Sequence, residues 1–320
     1  MLITTVLLLL LTPAALLTAA RYQKHRNKKI ARLSRETWAI GIYKGPSPVT
    51  LLPSEEIRNP ILTAKDVTDI KARFVADPFM IRNATGCYLF FEVLNDKRNT
   101  GEIAYAFSSD LLQWQYRKVV LKERFHLSYP YVFFWENRYY MIPECNNSGG
   151  IQLYEASQFP DQWQRVSTLI KSTARNSALV DPSIIHYRNR WYLFSYAPKS
   201  KNLHLFTSAY LTGPWQEHPQ SPLVCNSPNF ARPGGRVVLY NESIYRYAQD
   251  EIPHYGTKVW AFRITELTEL TYTEEPVSEE PVLQPGHEWW NNAGMHTVDA
   301  HQTAANEWIA LVDGFSIQEK

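Results

Sequence analysis

From Trp38 onward, apolar residues come in short runs that either alternate with polar ones or are solidly aromatic, with Asn, Gly, Asp and Pro between them. No stretch keeps a helical period. Alternation with a period of two marks half-buried strands, so the pattern predicts an all-β body. The stretch Phe125 to Glu144, FHLSYPYVFFWENRYYMIPE, shows the unit most clearly. Tyr131 to Tyr140 reads as an aromatic hairpin turning at Glu136-Asn137-Arg138, with polar groups at both ends. One run breaks the pattern: Leu2 to Ala20 is uncharged throughout and predicts a helix.

Aligning the runs exposes a repeat. Ala76-Asp77-Pro78-Phe79 opens a unit that continues through strands Cys87–Val93 and Glu102–Ser108 to a fourth strand ending near Leu121. Tyr129-Pro130-Tyr131 opens the second unit and Val180-Asp181-Pro182-Ser183 the third. Arg232-Pro233-Gly234-Gly235 opens the fourth, and Met295 to Asp299 the fifth. The openers stand at 77, 130, 181, 233 and 296, a spacing of 51 to 63 residues. Trp114, Trp163 and Trp215 fall at matching turns and read as packing between units. Four-stranded units repeating every ~40–50 residues or more are the signature of a β-propeller. Two sandwich domains would also be all-β but would not produce five openers. The fifth unit runs out of chain after two strands, while Trp38 to Tyr43 is a strand to spare. It is expected to complete the last blade and close the ring, removing exposed strand edges.

The predicted fold is a five-bladed β-propeller preceded by one N-terminal transmembrane helix, with residues 1–21 as anchor, 22–37 as a basic juxtamembrane linker and 38–320 as propeller. The uncharged run is close to the roughly 20 residues that span a bilayer. A cleaved signal peptide would want basic residues ahead of the run; here they follow it, as Arg21, Lys24, Arg26, Lys28, Lys29, Arg32 and Arg35. That asymmetry predicts a retained single span with the body facing the cytoplasm. The basic cluster is expected to touch anionic headgroups at about 1 kcal/mol per residue, or else to serve only as a solvated linker.

Charge narrows the function. Removing those seven residues from the 33 Lys and Arg leaves 26 basic against 31 acidic residues, so the body is mildly acidic. It has no basic patch of the kind that nucleic acid requires. Cys87, Cys145 and Cys225 are scattered without CxxC spacing, which points to neither a disulfide framework nor a zinc site, and such free thiols suit a reducing compartment. No metal or other cofactor is expected. A Gly-rich phosphate loop, an Asp-x-Asp motif and a Gly-x-Ser-x-Gly elbow are all missing from the sequence.

In a propeller the first strand of every blade lines the central axis, so the five openers converge although they lie far apart in sequence. The ends of the second strands, at Glu92, Glu144, Ser195 and Gln249-Asp250, are neighbours of that axis. The expected site therefore gathers Asp77, His126, Tyr129, Glu144, Asp181, Arg232, Arg236, Gln249, Asp250, His296 and Asp299. Several carboxylates with aromatic walls suit chemistry at a glycosidic bond, where one group acts as base or nucleophile and another as acid. Singly, each signal has a plainer reading. Asp before Pro often only satisfies local backbone N–H groups; two at matching positions of a repeat favour the axial reading. Glu144 is either a rim residue or the acid. Gly234-Gly235 either permits a bulge or allows close backbone approach beside an anion-binding Arg232 and Arg236. His287 and His301 read as ordinary surface or loop histidines.

With these residues laid out, the sequence resembles the N-terminal domain of plant glucosamine inositolphosphorylceramide transferase and its bacterial relatives. The similarity is carried by Phe74-Val75-Ala76-Asp77-Pro78-Phe79, His126-Leu127-Ser128-Tyr129-Pro130-Tyr131-Val132, Ile142-Pro143-Glu144, Ala231-Arg232 with Gly234-Gly235-Arg236, Gln249-Asp250 with Tyr255-Gly256, and Gly294-Met295-His296 with Val298-Asp299. It covers about Trp38 to Gly314. The resemblance implies a five-bladed propeller related to the family 43 and family 32 glycoside hydrolases. By the same likeness Asp77 would be the catalytic base or nucleophile, Asp181 the carboxylate that tunes it, and Glu144 the acid. Glu144-Cys145 is similar to a Glu-Cys motif of the family 32 enzymes, although it precedes the second Asp-Pro here and follows it there. In the plant enzyme a conventional glycosyltransferase domain follows the propeller. Three functions are therefore expected as alternatives: a membrane-anchored, glycosyltransferase-like enzyme acting on a lipid-linked or cell-envelope glycan; a glycosidase using paired carboxylates; or a sugar-binding module that partners a separate glycosyltransferase. The expected ligand in each case is a carbohydrate or glycolipid.

Overall fold

The computed structural model describes residues 36–145, 147–173, 178–304 and 306–317. The apolar run and basic cluster that predict the anchor lie outside them. Among the described residues no helix is long and apolar enough to cross a membrane.

The chain enters through β1 (Glu36–Ser47) and β2 (Thr50–Pro53), then lays down its blades in order. Blade one is β3 (Ala72–Asn83), β4 (Gly86–Asn95), β5 (Thr100–Ser108) and β6 (Gln115–Leu121). Blade two is β7 (Ser128–Trp135), β8 (Arg138–Glu144), β9 (Gly150–Gln158) and β10 (Gln162–Lys171). Blade three is β11 (Val180–Tyr187), β12 (Arg190–Ala197), β13 (Asn202–Ser208) and β14 (Gln216–Glu217). In blade four the inner strand is interrupted, so that β15 (Arg232–Pro233) and β16 (Val238–Tyr240) both pair with β17 (Ser243–Asp250), followed by β18 (Lys258–Leu267) and β19 (Tyr272–Pro276). Blade five has only β20 (Val298–Ala304) and β21 (Glu307–Ile317) from this end of the chain. Its outer half is β1 and β2, in the order β2-β1-β21-β20. The N-terminus thus supplies two strands to the closure where the repeat predicted one.

Local sequence explains the hairpins. The turns joining first and second strands in blades two, three and four are Glu136-Asn137, Arg188-Asn189 and Asn241-Glu242, with both residues at positive φ. That is the twist-matched two-residue hairpin, which Asn tolerates well. Trp114, Trp163 and Trp215, expected to pack between units, also lock the later turns: each indole N–H donates to a carbonyl of its own turn, on Leu111, Pro160 and Leu211. Their rings pack against the apolar clusters between blades. The largest such cluster joins Phe79 and Phe90 of blade one, Tyr131 and Met141 of blade two, and Ile184 and Trp191 of blade three.

The inner strands are stitched to one another by polar groups. Tyr129 of blade two donates its hydroxyl to the Gly235 carbonyl of blade four and lies 2.9 Å from Ser183 Oγ of blade three. Gly235 forms a parallel bridge with Val298 of blade five. A β-carbon at Gly235 would stand 1.8 Å from the Val298 carbonyl oxygen, and its φ is +144°, so only glycine fits. The close approach that the Gly-Gly pair predicted is therefore made to another blade.

Candidate functional site

Three openers share one backbone device. Asp77, Tyr129 and Asp181 each precede a proline, each takes a positive φ (54°, 47° and 49°), and each sits at a register shift in its inner strand. A positive φ is costly for residues with side chains and persists where surrounding contacts enforce it. Here neighbouring blades do so: Asp77 N–H donates to Asp313 Oδ2 at 2.8 Å, and Tyr129 N–H to Asp77 Oδ2 at 3.1 Å. The second strands carry a matching regularity. Glu92 in blade one and Glu144 in blade two pair with Ala76 and Ser128, the residues just before the openers; Tyr196 pairs with Val180 in blade three.

Asp77 is buried. Its Oδ1 accepts from Thr297 at 3.0 Å and lies 3.4 Å from His296 Nε2. Burial is the main cause that pushes its carboxyl up to about 6; His296 pulls the other way, and Asp313 and Asp181 add to the rise. His296 is equally buried, and its Nδ1 lies 2.7 Å from Asp313 Oδ1. Burial lowers the imidazole, but Asp313 and Asp77 outweigh it and leave it above its ordinary value. Trp38 lies against this ring at 4.2 Å between centroids. Asp313 also accepts from the backbone N–H groups of His296 and Thr297.

Across the axis, Asp181 Oδ2 accepts from Arg232 Nε at 2.5 Å and from Gln249 Nε2 at 3.0 Å. Arg232 also reaches Glu251 at 3.1 Å, approaches Glu144 at 3.9 Å, and lies over the Tyr255 ring at 4.6 Å. Burial first, then the charge of Asp181 and a hydrogen bond with it, hold the Glu144 carboxyl well above the usual carboxylate range. Glu92 is raised well above that range too, by burial and then by Asp77 and Glu144. His126 accepts the Gly101 N–H at Nδ1, 2.9 Å away, so its neutral ring carries the proton on Nε2, which lies 3.3 Å from Glu92 Oε1.

Asp77, His126, Tyr129, Glu144, Asp181, Arg232, Gln249 and His296 therefore meet in one hydrogen-bonded and electrostatic network, reaching solvent at His126, Glu144, Arg232 and Glu251. The remaining predicted residues lie elsewhere in the fold. Asp250 accepts from Asn229, from the Ile252 N–H and from the Trp260 indole, and so fixes its own loop. Arg236 spends its donors on Asp299 at 2.5 Å and on the carbonyls of Met80 and Val132, while Asp299 also accepts from Met80 N–H and pairs with His301. Burial would raise the Asp299 carboxyl, but Arg236 and His301 bring it below its ordinary value. This pair joins blades one, two, four and five, and it makes His301 a structural partner where the sequence suggested a surface residue.

Asp313, Thr297, Glu251, Tyr255 and Trp38 are at the axis without having been picked out from sequence. Asp313 had a readable signal. It follows directly on the apolar run Trp308–Val312 in the second strand of blade five, as Glu92 follows Tyr88–Phe91 in the second strand of blade one. Asp77, His296 and Asp313 also offer donor atoms within 4.8 Å of one another, a set that could hold a small hard cation. In the present geometry His296 bridges the two carboxylates by its own nitrogens.

Residues 32–315 match the family described as glucosamine inositolphosphorylceramide transferase 1, N-terminal. The chain belongs to this family. The protein named glucosamine inositolphosphorylceramide transferase 1 from Oryza sativa subsp. japonica is 36% identical over 303 residues, which take in 87% of this chain and 40% of the rice protein. The Arabidopsis thaliana protein of the same name is 32% identical over 302 residues, 87% of this chain and 39% of its own length. The chain thus spans about two fifths of the curated relatives it matches. Among solved structures, a family 117 glycoside hydrolase from Zobellia galactanivorans is similar with a TM-score of 0.53 at 15% identity, over 76% of this chain and 84% of that one. A variant of the α-L-arabinanase from Cellvibrio cellulosa gives 0.55 at 16% identity, over 76% and 90%. At such identities the likeness is one of fold, and it places the family's propeller beside those of glycoside hydrolases.

Proposed function

We propose that the axial site acts on a glycosidic linkage, and that the protein is a glycosyltransferase-like enzyme working on a lipid-linked or cell-envelope glycan. The observation that carries this reading is that Asp77 and Glu144 are both drawn into one buried network with Asp181, which acts on each of them. Glu144, raised by burial and by Asp181, is suited to deliver a proton to a departing oxygen. Asp77 is suited to act as base or nucleophile, with His296 and Thr297 holding its carboxylate. Asp181, bound by Arg232 and Gln249, stands beside the acid. The names of the rice and Arabidopsis relatives, which are transferases, agree with a sugar substrate. The apolar run and basic cluster of residues 1–35 would tether this body to the cytoplasmic side of a membrane, near such a substrate.

Asp77→Asn and Glu144→Gln test the assignment in a screen of nucleotide-sugars and glycosides as donors. Either substitution should lower product formation by two or more orders of magnitude, the usual scale of a lost acid or base. Unchanged turnover in both variants would sink the catalytic assignment. A reporter fused to the C-terminus checks the topology, and a signal from outside the cell would overturn the cytoplasmic placement.

One observation favours a second reading, a sugar-binding module that serves a separate transferase. Both oxygens of Asp77 already accept hydrogen bonds from Thr297 and Tyr129, and its carboxylate is only 6% exposed. In that case ligand binding would persist with no turnover by the wild-type chain.

A further inference from the structure

One cavity lies apart from the axis. It measures about 460 Å³ and sits at the outer edge of blade five, beside Tyr43 of β1 and Pro53 of β2, the two strands farthest from inner strand β20. No residue of the axial network lines it. Its other wall is the loop 286–291, closed by hydrogen bonds from Gly286 N–H to the Asn291 carbonyl and from Asn291 N–H to the Glu288 carbonyl.

Two consecutive tryptophans of that loop are treated oppositely. Trp290 is 1% exposed, and its six-membered ring fills a slot between Gly41 and Gly314, where a β-carbon would come within 2.5 and 3.0 Å of it. Trp289 is 55% exposed, the only tryptophan among the described residues left largely to solvent. The plugged ring thus fixes a neighbour that presents its own indole beside the cavity. Glu55, Arg58 and Glu288 also line it, and among the described residues none of the three is in an ion pair.

These groups select a ligand. An anion would meet Glu55 and Glu288, and a cation would meet Arg58. A neutral ring with an apolar face and a hydroxylated edge uses all of them: its face covers the indole, while its hydroxyls donate to the carboxylates and accept from the guanidinium. The floor asks for the same chemistry. Trp290 Nε1 and Asn291 Oδ1 are buried there without a hydrogen-bond partner, although Asn291 Nδ2 donates to the Tyr43 hydroxyl at 3.0 Å. One donor and one acceptor left over in consecutive residues suit a group that does both, as a hydroxyl does.

We propose that this cavity is a second carbohydrate site, which takes one pyranose ring of a neutral glycan stacked on Trp289, with Arg58 and Glu288 on its hydroxyls. The site is independent of the axial reading, since it holds a glycan at the rim of the ring whether or not the axis is catalytic.

The test is native affinity electrophoresis of the full chain, in a sugar-free nonionic detergent, through gels that contain hydroxyethylcellulose, xylan, galactomannan or soluble starch. At least one of the four is expected to retard the wild type relative to a gel without polysaccharide. Trp289→Ala should raise the dissociation constant in that gel by about tenfold or more, the worth of a good aromatic contact, with an unchanged thermal midpoint because the side chain is half exposed. Trp289→Phe should keep part of the retardation, and Glu288→Gln should weaken it less than Trp289→Ala does. If none of the four polysaccharides retards the wild type, the proposal is overturned and the axial reading stands as before. Retardation that Trp289→Ala leaves unaltered also overturns it, because the sugar would then be held elsewhere.

Discussion

Asp313 holds His296 by both its ring and its backbone: Nδ1 lies 2.7 Å and the N–H 3.2 Å from the same carboxylate oxygen. The other oxygen of Asp313 takes the Asp77 N–H. One residue near the end of the last strand thus orients both the imidazole beside Asp77 and the strained backbone of Asp77 itself.

Asp313→Asn should therefore be far more damaging than a change of one charge suggests. One side-chain position can still accept, but the other becomes an NH2 group facing either His296 or the Asp77 N–H. We expect a loss of about 3–5 kcal/mol, the usual cost of breaking a buried pair, measured by urea unfolding. His296, held above its ordinary value chiefly by Asp313, should titrate lower in the variant by NMR. An unchanged titration would show that Asp313 does not set the charge of that ring.

The raised carboxyls give the fold a pH dependence with a definite sign. Asp77 titrates at about 6 in the folded state against 3.8 ordinarily, so its contribution is fully present below about pH 4 and is lost as pH rises through 6. That shift corresponds to roughly 3 kcal/mol. Glu92 and Glu144 are displaced in the same direction. Asp299 is displaced oppositely and loses its contribution only as pH falls through its lowered value. Unfolding free energy should therefore decline between pH 4 and 7, and decline less in Asp77→Asn. Parallel slopes for the two proteins would contradict the raised value.

Gly235→Ala probes the stitching between blades four and five. Its new β-carbon would meet the Val298 carbonyl oxygen at 1.8 Å, in a backbone conformation that side chains rarely adopt. Loss of more than about 3 kcal/mol is expected, read as a fall in the thermal midpoint. A stability within about 0.5 kcal/mol of wild type would mean that the bridge to Val298 is dispensable.

The fold was legible because five openers recur at a spacing of 51 to 63 residues, because three of the blades carry a tryptophan at the matching turn, and because strand alternation survives along the chain. The site was legible in part. Asp77 and Asp181 could be placed at the axis because they recur at one position of the repeat, and Glu144 because it ends a second strand. Arg236, Asp250 and Asp299 share that spacing, yet they bond inward to neighbouring blades or to their own loop. Spacing gives a residue's height along the axis; it does not say which groups its side chain will find there. Blade five was hardest to read, since half of it comes from the opposite end of the chain. Trp38 could be read as part of the closing strand, but that it and Asp313 meet around His296 was not legible.

That closure leads to the last prediction. Strands β1 and β2 are the outer half of blade five, paired with β21 through β1. Deleting residues 36–53 would leave β21 with an unpaired ladder edge, an open invitation to association with other chains. It would also strip Ile40 and Ile42 from the apolar cluster they share with Leu89 and Leu311, and Trp38 from the ring of His296. The truncated chain should aggregate or unfold without a cooperative transition. If the defect is one of ring closure, moving residues 36–53 to follow the last residue through a short linker should restore a single thermal transition and a monomeric elution volume. A truncated chain that stays monomeric and melts cooperatively near the intact protein would show that four blades and a half are stable alone, and that β1 and β2 do not close the ring energetically.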